Sequence, residues 1–135
     1  MTEIIQNEVV VIGAGPGGYA AAFRAADLGQ RVVLIDKEES LGGVCLNRGC
    51  IPSKALLHLT KLIDDSKEVK KKGIVFGAPK INIEEIRNWK NSIISNLSSG
   101  ISRLAKARKV KTIIGTAKFQ SINKLEVKNA ESTTY

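Results

Sequence analysis

Apolar residues along this chain fall into short runs and longer stripes, and the two periods alternate. Val9–Ile12 is a continuous apolar, β-branched run, the pattern of a strand buried on both faces. Gly13 breaks the run, and Pro16 sits where the first turn of a helix tolerates a missing N–H. The stretch Gly17–Leu28 is Ala-rich, and Gly29 supplies a C-cap. Arg31–Ile35 is a second buried strand that ends at Asp36, so residues 8–36 read as one βαβ unit.

A Gly-rich loop, LGGVCLNRGC, spans Leu41 to Cys50. Pro52 then opens a helix to about Ser66, with Leu56, Leu59, Leu62 and Ile63 near helical spacing. Lys67–Ile81 is a polar connection holding Gly73, Gly77 and Pro79. Asn82 with Glu85 three residues on forms a capping-box pattern. Ile86, Trp89, Ile93, Leu97, Ile101 and Leu104 step by 3 or 4, which predicts a long amphipathic helix with Gly100 as its weak point. Val110–Ile114, Ala117–Gln120 and Lys124–Val127 read as short strands. The pattern is that of an α/β fold without internal repeats.

Composition fits one globular domain: 135 residues, 43% apolar and 25% charged. No apolar run approaches the ~20 residues of a membrane span. The first ten residues carry two acids and no base, unlike a secretory or transit signal, so a cytoplasmic location is the expectation. Charge is uneven, with four basic against six acidic residues up to Cys50 and 17 against seven after it. Aromatics are only 4%, leaving few stacking platforms for nucleic acid. The basic residues are spread over helical faces and loops and read as a solvated surface.

Gly13, Gly15 and Gly18 form G-x-G-x-x-G between a strand and a helix. The first glycine permits the tight turn, the second lets backbone approach a pyrophosphate, and the third lets helix and strand close. The helix N-terminus offers free N–H groups to the phosphates. Asp36, at the end of the next strand, is placed to accept a ribose hydroxyl. An acid there favours the unphosphorylated ribose of FAD or NAD over that of NADP.

Cys45 and Cys50 are the two cysteines, and His58 is the single histidine. A zinc site needs four ligands, so this donor set argues against metal. Cytosolic disulfides are usually catalytic or redox-sensing, which favours a redox-active pair over a structural staple. Residues i and i+5 of one regular helix lie roughly 8–9 Å apart, beyond the ~7 Å that a disulfide spans. Cys45 is therefore expected in a loop or distorted helix, with Cys50 just before the helix that Pro52 opens. The helix dipole and Lys54 one turn on would favour thiolate at Cys50.

The stretch GGVCLNRGCIPSKALL resembles the active-site signature of the flavin-dependent disulfide oxidoreductases. The likeness extends over the chain, through the first glycine loop, the Trp89 helix and GTAKF at 115–119. CLN followed by IPSKALL favours the lipoamide branch over mercuric or glutathione reductases, which typically carry Val-Asn after the first cysteine. Val44 and Arg48 stand where the family often has a threonine and a small apolar residue. A third alternative, of another class, is an FAD-binding module without turnover.

The resemblance implies a Rossmann-like FAD-binding domain: a parallel sheet, flanking helices and a small β-hairpin. Residues 1–135 would form its N-terminal part, with the NAD, central and dimerisation domains absent. FAD would lie along Gly13, Gly15, Pro16 and Gly18, with Asp36 on the ribose and Lys37, Gly42, Gly43 and Cys45 tracking the pyrophosphate and ribityl chain. Gly115 and Ala117 would meet the adenine end, and Lys54 the flavin N5. Cys45 would be the interchange thiol and Cys50 the flavin-proximal one. Implied partners are NAD as co-substrate, a second copy in a homodimer, and lipoyl domains of 2-oxo acid dehydrogenase complexes. The family's acid–base histidine belongs to a later domain, so His58 takes a structural or surface role. Trp89 is expected to fill core or interface.

Overall fold

The structure, a computed structural model, describes residues 4–128 and 133–134. Three parallel strands, β1 (Val9–Ile12), β2 (Val32–Asp36) and β3 (Lys111–Ile114), lie in the order β1-β2-β3. Val9 pairs with Val32 and Ile12 with Ile35, while Val33 pairs with Lys111 and Asp36 with Ile114. Helix α1 (Pro16–Asp27) makes the crossover from β1 to β2. Helices α2 (Gly43–Asn47), α3 (Cys50–Glu68) and α4 (Ile83–Ala107) lie between β2 and β3. Strands β4 (Thr116–Ser121), β5 (Lys124–Lys128) and β6 (Thr133–Thr134) form a separate antiparallel sheet.

β2 is central because Val32–Ile35 is apolar on both faces, and all four residues are buried. Val32 and Leu34 pack on the helical side with Ala22, Ile101 and Ala105. Val33 and Ile35 pack on the other side with Val127, Ile113 and Ala117, so the antiparallel sheet covers the back of the parallel one. β1 departs from the sequence expectation. Val10 and Ile12 are 40% and 48% exposed, because the antiparallel sheet reaches β2 and β3 but leaves a groove over β1.

Two further differences concern the helices. The loop expected over Leu41–Cys50 contains α2, and α3 starts at Cys50 rather than Pro52, with the proline inside its first turn. Beyond α3 a 3-10 turn, Val69–Lys72, ends at left-handed Gly73 with φ +89°. Asn82 caps α4 by accepting from the N–H groups of Glu84 and Glu85 at 3.1 and 3.3 Å. α4 runs through Gly100 without a break.

The seat of α4 follows only part of the stripe that the apolar spacing predicts: Ile101 is buried and Ile86 and Ile93 are half-buried, but the other three positions are exposed. Ser98, Ile101 and Ala105 are the buried positions, and Ile94 packs against the same core. Leu97 and Leu104, about a quarter-turn round the helix, are 44% and 47% exposed, and Trp89, nearer the opposite side, is 38% exposed and is not a core residue. Small residues at 98 and 105 let the helix come close, and Ser98 Oγ donates to the Leu41 carbonyl at 3.0 Å. The bond ties α4 to the segment just ahead of α2. Ile101→Ala should cost about 2–4 kcal/mol in urea unfolding, and Leu104→Ala less than ~1 kcal/mol. Equal losses at the two positions would mean that Leu104 is seated as deeply as Ile101.

Candidate functional site

The first βα turn is built by close backbone packing. Gly13 takes φ +97°, a left-handed conformation that favours glycine. A Cβ at Gly18 would collide with the Gly13 carbonyl, at 2.8 Å from its carbon, so only glycine lets α1 approach β1 this closely. A Cβ at Gly15 would meet nothing within 4 Å. The space beside Gly15 is therefore an open cradle at the start of α1. Gly15 caps that helix without a side-chain hydrogen bond, and its first turn holds no acid. No carboxylate of that turn competes for its N–H groups, which leaves the helix end suited to an anion.

Asp36 closes the turn from the end of β2. Its Oδ2 accepts the Ala14 N–H at 2.6 Å and its Oδ1 the Glu38 N–H at 2.9 Å. A carboxylate has about four acceptor positions, so two remain open to further donors. The Gly115 N–H donates to the Asp36 carbonyl at 2.7 Å, which brings the end of β3 to the same place. Ala117 packs behind, against Val33, Ile35 and Val127, while Lys37 is exposed beside the acid.

A second glycine turn joins this cradle to the cysteines. Gly42 and Gly43 take φ +117° and +63° in succession. A Cβ on Gly43 would stand 2.7 Å from Gly15 Cα, and one on Gly42 would stand 2.7 Å from Leu46 Cβ. The Gly42 N–H donates to the Ala14 carbonyl at 2.9 Å. Cys45 follows in α2, and Cys50 is the first residue of α3. The two form a disulfide with Cα atoms 4.8 Å apart. The spacing argument against one regular helix holds, because the pair lies on two helices separated at Arg48–Gly49. The end of a 19-residue helix favours negative charge on the Cys50 sulfur once the bond opens.

Other residues singled out in the sequence take their places around this pair. Cys50 is exposed and Cys45 half-buried. Lys54 lies one turn along α3 from Cys50, exposed, with no ion pair among the described residues. Arg48 pairs with Glu38 at 2.9 Å, and Val44 and His58 are exposed. Among the described residues no group of three or more His, Cys, Asp or Glu side chains could hold a metal. Two features escaped the sequence reading. Ala14 is fully buried, with both its N–H and its carbonyl engaged. Asn47 donates from Nδ2 to the carbonyls of Ser40 and Gly43 at 3.2 and 3.0 Å. An asparagine two residues after a cysteine in a Gly-rich loop was the available signal for the second.

The two glycines make opposite tests. Gly15→Ala should leave unfolding stability within ~0.5 kcal/mol while weakening binding of an adenine dinucleotide, measured by calorimetry. Gly18→Ala should destabilise the fold by about 1–3 kcal/mol through its clash with Gly13. A Gly15→Ala variant with undiminished dinucleotide affinity would remove the cradle from the site.

Comparison with known proteins agrees with this geometry. Residues 7–135 match the family described as pyridine nucleotide-disulphide oxidoreductase. The chain is 51% identical over 134 residues to a dihydrolipoyl dehydrogenase of Vibrio cholerae, covering 99% of this chain and 28% of that protein. It is 51% identical over 132 residues to the dihydrolipoyl dehydrogenase of a Buchnera aphidicola strain, covering 98% of this chain and 28% of the relative. A Staphylococcus aureus protein of the same name is 42% identical over 128 residues, covering 95% and 27%. The chain thus spans a little over a quarter of the length of these relatives. With the glycine turn and its acid at the carboxyl ends of β1 and β2, and the cysteine pair joined to them through Gly42–Gly43, the chain belongs to the pyridine nucleotide-disulphide oxidoreductase family.

Proposed function

We propose that this protein is the FAD-binding and disulfide-bearing part of an enzyme that oxidises protein-bound dihydrolipoamide with NAD. One observation carries the reading: the Cys45–Cys50 disulfide is joined through the Gly42–Gly43 turn to the backbone of a dinucleotide cradle. A redox pair and the proposed nucleotide site are thereby tied together. The shared name of the relatives supports the lipoamide branch over mercuric or glutathione reductases. In the same reading the enzyme works in the cytoplasm as a homodimer on lipoyl domains of 2-oxo acid dehydrogenase complexes.

The residues present fit FAD. The open side of Gly15 and the first-turn N–H groups of α1 would hold its pyrophosphate, and Asp36 its adenosine ribose. Lys37, Gly42, Gly43, Gly115 and Ala117 would line the remaining path, with Lys54 toward the ring. Bound FAD supplies a two-electron acceptor that returns the dithiol to the disulfide and delivers the pair to NAD. The chain's own chemistry is thiol–disulfide exchange. A substrate thiolate attacks Cys45 Sγ, the Cys45–Cys50 bond breaks, and the electron pair remains on Cys50 Sγ. The N-terminus of α3 and Lys54 stabilise that charge. The second substrate thiolate then attacks the substrate sulfur bonded to Cys45. Cyclic lipoamide disulfide leaves, and Cys45 carries the second thiolate.

The thiol roles are tested by visible spectroscopy of the full-length, flavin-loaded enzyme. Cys45→Ser should show long-wavelength absorbance from the Cys50 thiolate against the flavin, Cys50→Ser should lack it, and both should lose dihydrolipoamide–NAD turnover. The reverse pattern would exchange the two roles. Full turnover in either variant would contradict the redox pair itself.

A further inference from the structure

α2 cannot hold its own shape. It has five residues, and isolated helices shorter than about 12–15 residues are marginal in water. Its N-cap Gly42 and its first residue Gly43 are both left-handed glycines, which give the chain freedom rather than direction. Its position therefore depends on ties to the rest of the fold. One is the disulfide from Cys45, and another is the buried side chain of Leu46. A third is the Asn47 side chain, whose Nδ2 donates to the Gly43 carbonyl at 3.0 Å and the Ser40 carbonyl at 3.2 Å. A side-chain amide has two N–H donors, and here each has an acceptor. Ser40 and Gly43 flank the Leu41–Gly42 segment, which Ser98 and Ala14 anchor to α4 and to the cradle. The Asn47 amide thus closes a ring from the far end of α2 back to the anchored turn.

We infer that Asn47 is a positioning residue for disulfide exchange: its amide keeps α2, and with it Cys45, beside Cys50 while the covalent bond is open. The inference rests on reading Cys45–Cys50 as the redox pair. In exchange with a dithiol, the protein S–S bond breaks and an S–S bond forms in the reagent. Two electrons and two protons pass to Cys45 and Cys50. On the disulfide side the covalent bond holds α2 whether or not Asn47 is present. On the dithiol side only non-covalent ties hold it. Removing the amide lowers the docked fraction of the dithiol form, and disulfide re-formation becomes less favourable by that fraction.

The test equilibrates the full-length, flavin-containing enzyme with mixtures of reduced and oxidised dithiothreitol. Acid quench, alkylation and mass counting then give the oxidised fraction of the pair. Asn47→Ala removes the amide, and Asn47→Asp keeps its shape while losing both donors and facing two carbonyls with negative charge. Both variants should lower the equilibrium constant for disulfide formation at least about threefold, a shift of about 14 mV for a two-electron couple. The effect of Asp should equal or exceed that of Ala. A purely structural role would lower the unfolding midpoint and leave this constant unchanged. Hydrogen exchange on the reduced wild-type protein needs no variant: the Arg48 N–H, bonded to the Val44 carbonyl at 2.9 Å, should stay protected. Unchanged constants, or loss of that protection on reduction, would overturn the inference and leave the redox pair standing. A wild-type pair that does not exchange with the dithiol would overturn both.

Discussion

Ala14 is the residue on which the two halves of the site meet. It is completely buried, and its side chain is only a methyl group. Its N–H donates to Asp36 at 2.6 Å and its carbonyl accepts the Gly42 N–H at 2.9 Å. The first bond fixes the acid at the end of β2 against the Gly13–Gly18 turn. The second fixes the segment that leads to the cysteines against the same turn. A buried backbone group left unpaired costs ~1–3 kcal/mol, so both partners are needed once Ala14 is inside.

The crowding that makes this meeting possible also explains the glycines around it. Gly18 is required by protein packing, because a side chain there would strike the Gly13 carbonyl. Gly43 is required by both conformation and packing, since it turns left-handed directly against Gly15. Gly15 has open space beside it, which a ligand can use. One short motif thus combines glycines demanded by the fold with a glycine that packing does not demand, and geometry separates them where spacing does not.

The βαβ unit was legible in the sequence because its signals are local. An apolar run, a glycine turn, an alanine-rich helix and a second apolar run each point to one element, and β1, α1 and β2 follow them closely. The cysteine pair was legible for the same reason, since five-residue spacing excludes one regular helix. α2 was not, because five residues carry no periodicity and the helix is held by distant partners. The seating of α4 was legible only in part: Ile101 of the apolar stripe is buried, but a buried serine and alanine outrank Leu97 and Leu104 where two elements must approach closely. Ser98 reaches Leu41 across 57 positions, and no local pattern announces that contact. The open face of β1 likewise depends on how far the antiparallel sheet reaches, not on the composition of β1.

In the function proposed for this protein, the turn at Gly13–Gly18 and Asp36 form a pyrophosphate and adenosine-ribose site coupled to the Cys45–Cys50 pair. The most direct measurement compares FAD and FMN binding to the flavin-free full-length protein by calorimetry. FMN carries the same ring but lacks the second phosphate and the adenosine. The expected result is FAD binding at least about 100-fold tighter, the equivalent of one or two charge-assisted hydrogen bonds. Equal affinity for the two flavins would contradict the claim, because the glycine turn and Asp36 would then contribute nothing to holding the cofactor.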